Sequence, residues 1–349
     1  MKRYYCQCKQ EIFFNNAFCE KCGRDLIYDP VAQTMWSGVL TDQGFITHTN
    51  QAQANEEALI LKPCANRHSS ILCNWSVSSK EDSQCISCQT TRFIPDLSIT
   101  KNNQRWLTLE RAKRQLISLL ISLNLPIENY QQKAGGLAFD FLEDQRSNPN
   151  VALEHVLTGH SNGIITLNAA EADEGFLHTM KEEMGESYRT ILGHFRHEVG
   201  HYYWNILIQD DYQLQAFREL FGDERQDYQQ ALERYYQQEK PKFKSSQFIT
   251  HYASSHPHED WAETWAHYLH IVDTLETAVS YGLSSYEPKI NDFNRWFSEW
   301  ARVAQIMNAL NRSMGLNDAY PFVLTEIVRK KLEFIDSLID GFASQKNRP

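Results

Sequence analysis

No cysteine occurs after residue 88 of this 349-residue chain. All eight lie before residue 89, so whatever requires sulfur is local to the N-terminal quarter. No apolar run approaches the roughly 18 residues that suggest a membrane-spanning helix. The opening MKRYYCQCKQEIFF puts cysteines and charges where the apolar stretch of a signal peptide would sit. A cytoplasmic chain with no membrane association is expected. Positive charge is short as well: 34 Lys and Arg against 44 Asp and Glu give a formal net charge of -10. Nucleic acid and anionic membrane surfaces reward a net positive field, so neither is expected as a partner. There is no low-complexity tract, and no internal repeat beyond an approximate doubling of cysteine pairs. What remains, at 42% hydrophobic and 22% charged residues, is a globular chain long enough for one large domain and a smaller companion.

In an extracellular peptide eight cysteines would suggest four disulfides, but close pairs in a chain read as cytosolic favour thiolate ligation of metal. Zinc takes four soft ligands in a tetrahedron, and a Cys-x-x-Cys turn delivers two of them while the chain reverses. Cys19-Glu20-Lys21-Cys22-Gly23 has that form, with Gly23 free to take the positive φ that turns backbone amides toward the sulfurs. Cys6 and Cys8 would close this first four-cysteine site. Cys85-Ile86-Ser87-Cys88, joined by Cys64 and Cys73, would make a second, with His68 a bystander. Two structural zincs are therefore predicted. Residues 1–100 hold nine Lys or Arg and ten Asp or Glu, a balance of -1, which supports a phosphate-reading surface poorly. Metal stabilisation of a small domain, or docking of a protein partner through the ribbons, fits better.

The stretch TRFIPDLSIT, residues 91–100, ends the cysteine region, and a boundary is placed there: a zinc-ribbon domain over 1–100 and a second domain over 101–349. Trp106 to Leu123 spaces Leu109, Ala112, Leu116, Leu119, Leu120 and Leu123 for a scaffold helix that Pro126 stops. Val156–Gly159 and Ile164–Leu167 flank His160-Ser161-Asn162-Gly163, which predicts a hairpin turning at Asn-Gly, with a strand edge open to an extended peptide. From Glu171 to about Phe342 the pattern is helical with short interruptions. Within it, Gln-rich 226–238 carries Tyr228, Leu232 and Tyr235 at helical spacing and reads as a solvated face.

His197-Glu198-Val199-Gly200-His201 is an H-E-x-x-H motif. Leu192, Phe195, Val199, Tyr202 and Ile206 fall at steps of three and four, so the segment suits an amphipathic helix docked on a core. His197 and His201 then lie one turn apart on an adjoining face, the separation at which two imidazoles share one tetrahedral ion. Glu198 would face a water on that ion and accept its proton. His194, a turn earlier, is a supporting residue rather than a ligand. Catalytic zinc needs a third protein ligand and an open position. Trp204 and Leu207 stand where a metzincin needs Gly and His, so that class is excluded. Further on, His256-Pro257-His258-Glu259-Asp260-Trp261-Ala262-Glu263-Thr264-Trp265-Ala266-His267 begins with a cap at Ser255 or its neighbour, and Pro257 suits the first turn. Glu259, Glu263 and His267 recur every four residues along one face. His258, Asp223 and Glu224 are weaker ligand candidates because their spacing does not match. His267 and His270 are core or supporting residues, and Tyr202, Tyr203, Trp204, Trp261, Trp265 and Tyr268 are expected to pack the two helices together.

This pattern resembles the lethal-factor-like gluzincins, in which Glu-x-x-Ala-Glu follows the H-E-x-x-H helix. The resemblance implies that Glu259 is the third zinc ligand and Glu263 supports a ligand histidine. It also implies that Tyr252, seven residues before Glu259, stabilises the oxyanion. Over nearly the whole chain, the two cysteine clusters, Cys73-Asn74-Trp75, Ile94-Pro95-Asp96-Leu97-Ser98, Gly193 to Trp204, Phe221-Gly222-Asp223-Glu224-Arg225 and Glu259 to His270 resemble a bacterial family of zinc-binding metallopeptidases with an N-terminal zinc ribbon. The expectation is an α+β, mainly α, gluzincin-like domain behind a two-zinc ribbon, hydrolysing a protein or peptide substrate with one catalytic zinc. The other readings are a ribbon adaptor with an inactive peptidase-like domain, and a zinc hydrolase of a non-peptide amide. Substrate identity and oligomeric state are not readable from the sequence.

Overall fold

The computed structural model describes residues 2–47, 58–177, 190–237, 246–285 and 292–346. The chain packs as two compact units, residues 2–195 and 196–349. The first unit opens with an antiparallel pair, β1 (Tyr4–Tyr5) and β2 (Glu11–Ile12). Between them Lys9 takes φ 65 and its N–H returns to Cys6 O at 2.8 Å. An antiparallel sheet follows in chain order: β3 (Asp25–Asp29), β4 (Thr34–Thr41), β5 (Gly44–Thr47) and β6 (Ile60–Leu61). Leu26, Ile27, Tyr28 and Phe45 are its most deeply buried side chains. The phrase Cys73-Asn74-Trp75 has a packing explanation. Trp75 lies 4.7 Å from the Tyr28 ring, Asn74 O accepts from Tyr28 N at 2.6 Å, and Asn74 Nδ2 donates to Phe14 O at 2.6 Å. The second cysteine loop is thereby sewn to the first.

After α1 (Ile86–Gln89) and β7 (Thr91–Phe93), the long helix α2 (Thr100–Ser122) leads to β8 (Ala138–Leu142). β7 and β8 are parallel, so α2 is the crossover that parallel pairing requires. β9 (Gly159–Ser161) and β10 (Ile164–Asn168) complete a sheet of order β7-β8-β10-β9. The hairpin turns on two residues, Asn162 at φ 46 and Gly163 at φ 83, the doubly positive turn that Asn-Gly favours. A Cβ on Gly163 would meet Gly135 O at 2.2 Å. The first strand lies later than the pattern predicts, at Gly159–Ser161 rather than Val156–Gly159, and the turn is two residues rather than four. Val156 N donates to Asp144 Oδ2 at 2.9 Å, and Val156 O accepts from Arg146 at 3.2 Å, so this backbone is taken by a loop before it reaches the ladder.

Most of the expected core of α2 holds: Leu109, Leu116, Leu119 and Leu120 are buried, while Ala112 and Leu123 are half-buried. The helix also buries Arg105, Glu110, Lys113 and Arg114. Such charges require partners away from water. Arg105 pairs with Asp173 at 2.7 Å and Lys113 with Glu110 at 3.0 Å. Tyr28 OH lies 2.9 Å from Ser118 Oγ, so α2 touches the sheet of β3 to β6.

The helix α3 (Ile191–Leu207) begins at the end of this unit. The second unit continues through α4 (Asp211–Phe221), α5 (Tyr228–Gln237), α6 (Pro257–Ser280), α7 (Phe293–Ser313) and α8 (Glu326–Lys346). The helical reading of 171–342 also takes in residues 178–189, 238–245 and 286–291, which lie outside the described residues. α6 is the axis of the second unit, packed against α4, α7, α8 and the 3₁₀ turn Tyr252–Ser254. Trp261, Ala262, Trp265, Leu269, Ile271 and Leu275 are its fully buried apolar residues. Lys331 of α8 meets Asp260 at 2.5 Å, and Tyr268 OH donates to Asp336 at 2.8 Å. Among the described residues no helix is long and apolar enough to cross a membrane.

Candidate metal centre

α3 buries Phe195, Val199, Tyr202, Tyr203 and Leu207, while Leu192 and Ile206 are only half-buried. The buried stripe is thus rotated slightly from the expected one. His197 and His201 remain on the flank, half-buried, with ring centroids 5.1 Å apart and planes at 77°. The cap of α6 is the neighbour of Ser255, within the expected pair of residues. His256 is the N-cap, with Nε2 donating to Gln226 O at 3.1 Å and Nδ1 accepting from His258 N at 3.1 Å. Pro257 fills the first position, and Glu259 and Asp260 lie in the first turn, where carboxylates suit the helix dipole.

Two contacts fix how closely α3 and α6 meet. Trp261 Nε1 donates to Gly200 O at 2.8 Å, and a Cβ on Gly200 would stand 3.0 Å from the Ala262 backbone and 3.2 Å from Trp265. Gly200, the second variable position of H-E-x-x-H, and Ala262, the alanine of E-x-x-A-E, are thus the small residues where the helices touch. Tyr203 stacks on Trp265 at 5.1 Å beside this crossing.

The result brings His197, His201 and Glu259 together, with their ligand atoms all within 4.8 Å of one another. Glu259 Oε2 lies 3.0 Å from His197 Nε2, and Oε1 lies 3.5 Å from His201 Nε2. Donors about 2.0–2.1 Å from a tetrahedral zinc sit about 3.3 Å apart, which the Glu259 Oε2 and His197 Nε2 pair approaches, with His201 Nε2 beside the same carboxylate. His197 Nδ1 is 2.7 Å from Glu263 Oε1, the carboxylate–histidine arrangement that fixes a ligand imidazole and leaves Nε2 for metal. Burial opposes charge on His197, but the flanking Glu259 and Glu263 carboxylates raise it well above the ordinary histidine range. Burial likewise pushes Glu259 up, yet His197, His201 and the Tyr228 hydroxyl overcome it and hold the carboxyl at about 2. The pocket favours a positive charge at its centre.

Glu198 is buried at 8% exposure, and its charge acts on both Tyr228 and Tyr252. The Tyr252 ring lies 6.0 Å from His197. Burial, then Glu259, Tyr228 and Glu198, raise its phenol far above the usual range, so it stays a donor. Tyr228, read from the sequence as part of a solvated face, donates its hydroxyl to Glu259 Oε1 at 2.7 Å. Its spacing with Tyr235 signalled a helix face but nothing about what that face touches.

The remaining candidates fall elsewhere. His267 is buried, which lowers it to about 4, and its Nδ1 lies 2.8 Å from Tyr320 OH. His194 belongs to the first unit, where Nδ1 is 2.6 Å from Glu171. His258 stands edge-on to Trp204 at 4.7 Å, Asp223 pairs with Arg225 at 2.8 Å and Glu224 pairs with Arg218.

The cysteines form the two expected groups, Cys6, Cys8, Cys19, Cys22 and Cys64, Cys73, Cys85, Cys88. Sulfur separations of 3.6 Å for Cys6 and Cys22, 3.7 Å for Cys8 and Cys19, and 3.7 Å for Cys73 and Cys85 match the edge of a tetrahedron, about 3.8 Å for Zn–S near 2.3 Å. Gly23 takes φ 73, and its N–H reaches Cys19 O at 2.8 Å. The first group carries an exposed Cys22 beside Arg24, whereas all four sulfurs of the second are buried.

A family model described as "Putative zinc-binding metallo-peptidase" matches residues 102–338, and a zinc-ribbon domain model matches residues 3–99. Uncharacterized proteins of Mycobacterium bovis and Mycobacterium tuberculosis are each 39% identical to the chain, across 98% of it and 96% of their own length. No solved structure matches the chain significantly. By the model that spans most of its length, the chain belongs to this family of zinc-binding metallo-peptidases, with a zinc-ribbon domain at its N-terminus.

Proposed function

We propose that the chain is a gluzincin-type zinc peptidase, its ribbon domain over residues 1–100 and its peptidase domain over 101–349. His197, His201 and Glu259 hold one catalytic zinc, and the two four-cysteine groups hold structural zincs. The bound ion supplies Lewis-acid activation of water and of the scissile carbonyl. Glu198 takes the proton of the attacking water and returns it to the leaving amine. Tyr252 donates to the oxyanion that develops on the peptide carbonyl. Glu263 holds the His197 ring through Nδ1, with His267 behind it on the same face of α6.

The observation that carries this reading is the convergence of His197, His201 and Glu259 ligand atoms within 4.8 Å, beside a buried Glu198. A purely structural site has no use for that second carboxylate. The test is zinc per chain on protein purified without added metal, combined with turnover of a peptide library. Three zincs are expected in wild type and in Glu198→Gln, and two in His197→Ala. Glu198→Gln should lose about 10²–10⁴-fold in kcat, the usual worth of a general base. Two zincs in wild type and in His197→Ala alike, with no third taken up on addition, would sink the proposal.

A further inference from the structure

The segment between His201 and Glu259 supplies more than a spacer. α5 is pinned at both ends: Tyr228 lies 5.1 Å from the His256 ring at its start, and Tyr235 OH bonds His251 Nδ1 two turns later. The loop before it is tied to the cap of α6 through Gln226 O and His256 Nε2 at 3.1 Å. From this frame Tyr228, 44% exposed as a residue, sends its hydroxyl to a carboxylate that is 1% exposed. That hydroxyl takes Oε1 at 2.7 Å, while Oε2 is the oxygen nearer His197 Nε2 at 3.0 Å.

Resting on the zinc site proposed above, we infer that Tyr228 is a positioning residue that occupies one oxygen of Glu259 and confines the carboxylate to one-oxygen ligation of the metal. A carboxylate free at both oxygens can chelate, filling the position that a water or a substrate carbonyl needs. A hydrogen bond to one oxygen removes that option and fixes the orientation of the other.

The full chain carries the test, with cobalt(II) as the probe and the spectrum of His197→Ala subtracted to remove the cysteine sites. Wild type should give the intense visible absorption of four-coordinate cobalt. Tyr228→Phe should give the weaker absorption of a five-coordinate ion, with zinc affinity lower by roughly tenfold. Tyr235→Phe, which loosens α5 without touching Glu259, should keep the wild-type spectrum. A wild-type spectrum in Tyr228→Phe overturns this inference alone, whatever the affinity. So does an equal change in Tyr235→Phe, which would make the effect one of helix packing. A wild-type chain with no His197-dependent cobalt signal overturns it together with the zinc site itself.

Discussion

His197 uses both nitrogens of one ring, Nδ1 toward Glu263 and Nε2 toward Glu259. Two carboxylates on one buried imidazole are costly unless a positive charge lies between them, which is why the ring attracts a proton or a cation. In the proposed mechanism Tyr252, by contrast, bears on the reaction rather than on the ion. Tyr252→Phe should lower kcat by about 10²-fold with little change in KM, as for loss of one oxyanion donor. An effect confined to KM, measured on any cleaved peptide, would make it a binding residue instead. His197, Glu198 and His201 were legible in the sequence because local spacing alone sets their geometry. Glu259 and Tyr252 needed family resemblance, since 57 residues intervene between His201 and Glu259. Tyr228 was not legible. Its partner is fixed by how a loop docks on the cap of α6, which periodicity does not encode.

The helices α3 and α6 owe their closeness to Gly200, where a Cβ would stand 3.0 Å from the Ala262 backbone. Gly200→Val should cost about 1–3 kcal/mol through overpacking, read as a lower midpoint in denaturant or thermal unfolding, and should weaken the third zinc. A variant as stable as wild type with all three zincs would show that the helices can part without harm. Helix periodicity predicted α2, α3 and α6 well because each buries an apolar stripe. It understated the buried charges of α2, since Arg105, Glu110, Lys113 and Arg114 look solvent-facing until Asp173 and the second cysteine loop are folded against them. The hairpin turn was legible in Asn162-Gly163, but its first strand was not, because Asp144 captures Val156 from twelve residues away.

Across residues 2–195 the two cysteine groups differ in accessibility. The first has Cys22 at the surface, while the second lies wholly inside, with Arg114 held nearby at Ile71 O, 3.5 Å away. A strong chelator should therefore remove zinc from the first group while the fold persists. The second should yield only on unfolding, seen as a late zinc release coincident with loss of helical circular dichroism. Simultaneous release of both with helicity intact would contradict this. The boundary expected near residue 100 falls between the two matched family models, 3–99 and 102–338, while packing groups residues 2–195 together. Composition records where sulfur is needed; it does not record that β7 pairs with β8 across α2.

That pairing bears on how the chain is handled at the bench. A fragment ending at the last cysteine looks like a complete zinc module, yet it would leave behind the Ser118 hydroxyl that meets Tyr28, the guanidinium of Arg114 and the neighbouring strand of β7. Such a fragment carries every sulfur and only part of the wall that shelters them.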